Sequence, residues 1–126
     1  MSDTKVASYP YPTPITAYGG GGFRFAEMSH KGSLLCLPSG LYAWPVTRAE
    51  DVNLETLAPV LAEAEAIEIL LLGTGAEQVF ATPELRAGCA DCGIMLEAMS
   101  TGAAARTYNV LLAEGRAVAA AMIVVA

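Results

Sequence analysis

Cys89-Ala90-Asp91-Cys92 is the first pattern in this chain that could carry chemistry. Two thiols at this spacing can form a redox pair or supply half of a tetrahedral zinc site. Redox pairs of this kind open a helix, where the positive end of the dipole stabilises a thiolate. This pair instead closes a predicted helix just before Gly93, at the end that disfavours a thiolate. Zinc would need two more ligands, and only Cys36 and His30 are available, both distant in sequence. The cysteines therefore read as helix-end residues in a reducing compartment, and neither a metal nor a cofactor is expected. His30, the only histidine, stands in a polar segment, Ser29-His30-Lys31-Gly32-Ser33, and reads as a surface residue in a turn. Glu63, Glu65 and Glu68 read as a solvated edge, not as a desolvated acid–base pair.

Two loops carry more. Gly73-Thr74-Gly75 follows a nearly continuous apolar run over residues 67–72, broken only by Glu68. Met99-Ser100-Thr101-Gly102 follows a strand over 94–98 and opens a helix. If those strands are parallel, both loops emerge at the sheet edge where open α/β sheets bind ligands. Backbone N–H groups of the helix would point to the same place. On that helix Arg106 and Asn109 share a polar face, while Ala104, Tyr108 and Leu111 share an apolar one. The candidate binding residues are thus Gly73, Thr74, Gly75, Thr101, Arg106 and Asn109. No nucleophile or base accompanies them, so no catalytic residue is assigned. The structural alternative is that Asn109 and Arg106 satisfy backbone groups of a neighbouring loop while the glycines only make tight turns.

The elements that position these loops follow from patterning. Residues 1–13, which end in Tyr9-Pro10-Tyr11-Pro12-Thr13 just before Pro14, read as an extended Pro-rich arm ahead of a domain over 14–126. Strands at 15–18 and 23–26 flank Gly19-Gly20-Gly21-Gly22. A phosphate-binding glycine loop joins a strand to a helix; this one joins two strands and reads as a hairpin turn. Strands follow at 33–37 and 41–44. Asn53 caps a predicted helix over 54–64, strained by Pro59; Thr82 and Pro83 open a second; Thr101 caps a third. A last strand over 116–125 is apolar on both faces. It belongs inside a covered sheet beside the strand ending at Leu72, with Val124 and Val125 filling core. The expectation is a single compact layered α/β domain: a mixed central sheet, N-terminal antiparallel hairpins and C-terminal βαβ units.

Composition sets the limits. With 126 residues the chain is one domain, and 54% hydrophobic content with 16% charged residues excludes intrinsic disorder. A net charge of −6 argues against a nucleic-acid partner. The longest uncharged apolar run, 117–126, has ten residues, short of the ~20 a spanning helix needs. The first fourteen residues hold neither an apolar export signal nor an Arg-rich import stretch, so a cytoplasmic location is expected.

Several segments, in order, resemble one small family. They are Ile69-Leu70-Leu71-Leu72-Gly73-Thr74-Gly75, Gly93-Ile94, Met99-Ser100-Thr101, Ala104-Ala105-Arg106-Thr107-Tyr108-Asn109-Val110-Leu111 and Glu114-Gly115-Arg116. Phe23, Leu34-Leu35-Cys36-Leu37-Pro38 and Trp44 fall where that family has its N-terminal strands. The likeness, over about residues 14–125, is to the Mth-type domain family, which includes mitochondrial complex I assembly factor 3 and the adipogenesis-associated Mth-domain protein. It implies a layered α/β fold and no catalytic residues. It also implies a non-catalytic binding or assembly protein, with a respiratory-complex subunit or co-assembly factor as protein partner. Lacking a mitochondrial presequence, the chain resembles a bacterial member. The residues themselves keep an alternative open: a small-molecule or anion-binding domain, or an enzyme, with its site at the loops after residues 72 and 98.

Overall fold

Short apolar alternations broken by turns give the N-terminal third its hairpins. The computed structural model describes residues 8–126. In it β1 (Ala17–Gly19), β2 (Gly22–Phe25) and β3 (Met28–Lys31) form an antiparallel three-stranded sheet. Phe23 and Phe25 face inward and are buried, while Arg24 between them is exposed. The glycine run turns β1 into β2 as expected. The next turn departs from expectation. It falls at Ala26 and Glu27, both in the left-handed region at φ 50° and 63°. Neither residue type marks a turn, so the segment expected to turn, 29–33, contributes Ser29, His30 and Lys31 to β3.

A second sheet has five strands: β4 (Ser33–Leu37), β5 (Gly40–Trp44), β6 (Ile69–Gly73), β7 (Met95–Met99) and β8 (Val118–Met122). Their order is β5-β4-β8-β6-β7. β8 pairs parallel to β6 and antiparallel to β4, so the last strand of the chain lies at the centre of a mixed sheet. All five of its residues are buried, as its two apolar faces require. The strand is shorter than 116–125. Ile123 is buried beyond its end, but Val124 and Val125 are only half-buried and do not fill the core.

The helices follow from the connections. α2 (Pro83–Asp91) links β6 to β7, and α3 (Thr101–Ala113) links β7 back across β6 to β8. The second crossover reverses direction along the sheet. Right-handed crossovers in opposite directions put their helices on opposite faces. Accordingly Leu85 and Cys89 of α2 join one core with Leu70, Leu72 and Leu96. Ala104 and Tyr108 of α3 join a second core with Leu71, Ala120, Phe23 and Phe25. The domain is thus three layers, with α3 and the small sheet sharing one side.

Local signals held at α2, where the Thr82 Oγ1 accepts the Leu85 N–H at 3.1 Å. At α3 the cap is Ser100, whose Oγ accepts the Ala103 N–H, and Thr101 is already helical. The helix expected over 54–64 shrinks to α1 (Ala58–Leu61) and a 3-10 turn at Ala64–Ala66. Pro59 lies within α1 and has no N–H to donate to a preceding turn. Asn53 instead closes a tight turn: its Oδ1 accepts the Thr56 N–H and its N–H donates to the Thr56 Oγ1.

Ahead of the domain, Tyr9 extends the edge of β5: the Leu41 N–H donates to the Tyr9 carbonyl at 2.9 Å. The Tyr9 ring stands edge-on to Phe25 at 6.1 Å, whereas Tyr11 is exposed. Residues 1–7 of the expected arm lie outside the described residues.

Candidate functional site

The parallel strands bring the two glycine-threonine loops to one sheet edge, and there the loops bind each other. The Thr74 N–H donates to the Met99 carbonyl at 2.8 Å, and the Thr101 N–H to the Gly75 carbonyl at 2.8 Å. The Thr101 hydroxyl is fully engaged: it donates to the Ile123 carbonyl at 2.6 Å and accepts the Gly75 N–H at 2.9 Å. Gly73 allows this closeness, since a Cβ there would meet the Thr101 Cα at 3.0 Å. Gly73, Gly75 and Thr101 thus join β6, α3 and the C-terminal segment through buried backbone contacts.

Arg106 and Asn109 lie elsewhere. They line a groove of about 400 Å3 between α3 and the segment Ile15-Thr16-Ala17-Tyr18. Asn109 takes the Ile15 N–H on Oδ1 and gives an Nδ2 hydrogen to the Ile15 carbonyl, each at 2.8 Å. Arg106 is exposed and has no hydrogen bond or ion pair among the described residues. Tyr18 closes the groove's far wall with its hydroxyl over Gly102, so close that a Cβ at 102 would collide with it. The six candidate residues therefore fall into two groups: four at the sheet edge, two in this groove.

Thr74 does something the sequence reading did not anticipate. Its hydroxyl donates to the Glu77 carbonyl at 2.7 Å and accepts the Val79 N–H at 3.0 Å. This pins the loop between β6 and α2. Val79 and Phe80, at the far side of that loop, are 47% and 78% exposed. A small hollow beneath them is lined by Ala49, Val52, Leu72 and Leu85. The available signal was an apolar pair, Val79-Phe80, inside an otherwise polar connection between strand and helix.

The neighbouring edge strand is also managed. In β7 the Leu96 and Ala98 carbonyls face away from β6. Arg86 Nη1 donates to the first at 2.9 Å and Gln78 Nε2 to the second at 3.0 Å. Side chains thus occupy acceptors that another strand would use.

The thiols carry no shared site in this geometry. Cys36 and Cys89 are buried, and Cys92 is exposed. Burial pushes the Cys36 thiol well above its ordinary range, against a smaller opposing effect of its hydrogen bond with Tyr108. Burial likewise raises Cys89. Among the described residues no three His, Cys, Asp or Glu side chains gather to hold a metal ion. No buried side-chain nitrogen or oxygen among them lacks a hydrogen-bond partner.

Fold and connections together define a three-layer α/β domain, a parallel βαβ core extended by antiparallel hairpins. The chain belongs to the family described as a protein of unknown function, DUF498/DUF598, which it matches over residues 15–123. It is 39% identical over 110 residues to an uncharacterised protein of Rhodobacter capsulatus, a match covering 87% of this chain and 83% of that one. It is 31% identical over 109 residues to NADH dehydrogenase (ubiquinone) 1 alpha subcomplex assembly factor 3 of Xenopus tropicalis. That match covers 86% of this chain but only 60% of the assembly factor's length. Among solved structures, an outer membrane protein from Bartonella henselae aligns with a TM-score of 0.90 at 50% identity, over 94% of this chain and 99% of that one. A Bordetella pertussis protein, a Mth938-like domain, aligns with a TM-score of 0.78 at 34% identity, over 98% and 91%. The resemblance to the Mth-type family therefore holds. No helix among the described residues is long and apolar enough to cross a membrane.

Proposed function

We propose that this protein is a non-catalytic binding protein that assists assembly of a respiratory NADH dehydrogenase, acting in the cytoplasm. The observation that carries this reading is Val79-Phe80, an apolar pair displayed on a loop that Thr74 holds in shape. Aromatic anchors on ordered loops lose little conformational entropy on docking, and such residues dominate protein interfaces. The similarity to an assembly factor supports the same reading. So does the engagement of Thr74, Thr101 and Asn109 with backbone, which leaves the small-molecule alternative with Arg106 as the one polar side chain of the six candidates without a partner among the described residues. The thiol state of all three cysteines suits a reducing compartment.

The test is deletion of the gene, with complex I resolved on native gels and NADH:quinone activity measured in membranes. The expected result is loss or stalling of the complex, restored by the wild-type chain and not by a Phe80→Asp variant. A normal complex with normal activity overturns the reading.

A further inference from the structure

The surface around Phe80 is acidic as well as apolar. A second groove, about 340 Å3, runs between the segment at Val52 and Leu54 and the start of α2. It shares Val52, Thr82 and Leu85 with the hollow under Phe80, so the two adjoin along these side chains. Leu54, 40% exposed, lies against Gly88 of α2 and lines this groove. Glu55 and Glu84 stand at its walls. Neither has an ion-pair partner among the described residues.

Charge is unevenly shared across the domain. Residues 46–66 and 76–92, which form this layer, hold eight carboxylates against two arginines. Both arginines are already engaged, Arg48 by Glu50 and Arg86 by the Leu96 carbonyl. Arg24, Lys31 and Arg106 belong to the small sheet and α3, on the opposite face of the central sheet. Screening over about 8 Å at physiological salt prevents them from neutralising this layer.

We infer that the depression bounded by Phe80, Leu54, Glu55 and Glu84 docks a basic, amphipathic segment of a partner protein. An apolar side chain of that segment seats over Val52 and Leu85 beside Phe80, and its Lys or Arg residues meet Glu55 and Glu84. Complementary charge would set encounter rate and register, while the apolar contact holds the complex. This rests on the protein-binding reading above and adds the chemistry of the partner to it.

The experiment places a photo-crosslinking phenylalanine analogue at Phe80 of the full chain, in living cells. The captured peptide is then identified by mass spectrometry. A second chain carries the same analogue with Glu55→Gln and Glu84→Gln, and both are checked by thermal melting. The expected result is a foreign segment of net positive charge, with its yield cut about tenfold in the Gln variant, the factor that ~1.4 kcal/mol of lost binding produces. A captured segment that is neutral or acidic, or a yield unchanged by the Gln substitutions, overturns the basic-segment proposal and leaves protein docking at Phe80 standing. No foreign segment captured by a chain that melts like the wild type overturns both.

Discussion

Asn109 holds Ile15, 94 positions earlier, in the manner of a neighbouring strand: its side-chain amide makes both hydrogen bonds with the one residue's backbone. Ile15 is the last buried residue before β1. The pair therefore fixes where the chain enters the small sheet and ties that sheet to α3. No aliphatic side chain could replace it, because the Ile15 N–H and carbonyl need a donor and an acceptor in one plane.

Asn109→Ala leaves both Ile15 groups without their partner. Lost partners at a semi-buried site cost about 1–3 kcal/mol, so the melting temperature should fall by several degrees. Arg106→Ala, at an exposed position without a bond among the described residues, should stay within about 0.5 kcal/mol of wild type. Equal effects of the two substitutions in thermal denaturation would contradict the assigned role of Asn109.

This contrast shows where sequence reasoning reached and where it stopped. Periodicity placed Tyr108 inward and Asn109 outward on α3, because helical spacing is local. It could not tell that Asn109 bonds Ile15 while Arg106 has no hydrogen bond or ion pair among the described residues, since that depends on a hairpin folded against the helix from the other end of the chain. The mixed sheet was legible in N-terminal hairpins followed by strand–helix alternation, and the burial of β8 in the apolar run at the C-terminus. The Ala26-Glu27 turn was not, because ordinary residues were forced to positive φ by strand pairing on either side. The Val79-Phe80 tip was missed for a related reason: an apolar pair in a loop reads equally as buried or displayed until Thr74's bonds are seen.

Thr101→Val keeps shape and removes the hydroxyl that serves both Gly75 and Ile123. It leaves a buried N–H and a carbonyl unpaired and should cost about 1–3 kcal/mol. Gly73→Ala should cost a similar ~1–3 kcal/mol by overpacking, since its Cβ meets backbone that cannot swing away. Denaturant unfolding of both variants checks this; a wild-type midpoint in either would remove that contact from the account.

A disulfide reagent should modify one thiol quickly in the native protein, the exposed Cys92. Cys36 and Cys89 should react only after denaturation. A second fast thiol in native buffer would contradict their burial.

Alkali should destabilise the fold through Cys36 and Tyr108. Burial is the main cause that pushes both groups above their ordinary values, and each also raises or restrains the other. Free thiols and phenols ionise near ~8.5 and ~10. The unfolded chain therefore releases these protons first. Their contribution to stability is complete below about pH 8.5 and is lost as pH rises past the unfolded values. Melting temperature should be level between about pH 6 and 8 and then fall, and Tyr108→Phe should reduce the alkaline slope. An unchanged slope would assign the loss to other groups.

Removing residues 122–126 takes away Met122 and Ile123 from the core, together with the Ile123 N–H bond to the Gly73 carbonyl and the Val124 N–H bond to Ser33 Oγ. Each buried side chain contributes about 1.5–3 kcal/mol, against a total stability of about 5–15 kcal/mol. The truncated chain should be unfolded or insoluble. Among the described residues, removing only Val125 and Ala126 forfeits one bond, Gly21 N–H to the Val125 carbonyl, and should leave a folded protein. Circular dichroism of the two truncations distinguishes them.

The place of β8 governs how the sheet can close. Among the described strands, β5 and β4 meet β6 and β7 only through β8, and β8 reaches β4 from far along the sequence, with Leu34 opposite Met122. Closing so long a loop costs entropy before any ladder bond repays it. Until β8 docks, the β4–β5 hairpin and the β6–β7 pair each leave the edge that faces it unpaired, and such an edge is a template for pairing with another chain. The strand that unites the two halves is therefore also the guard against their aggregation.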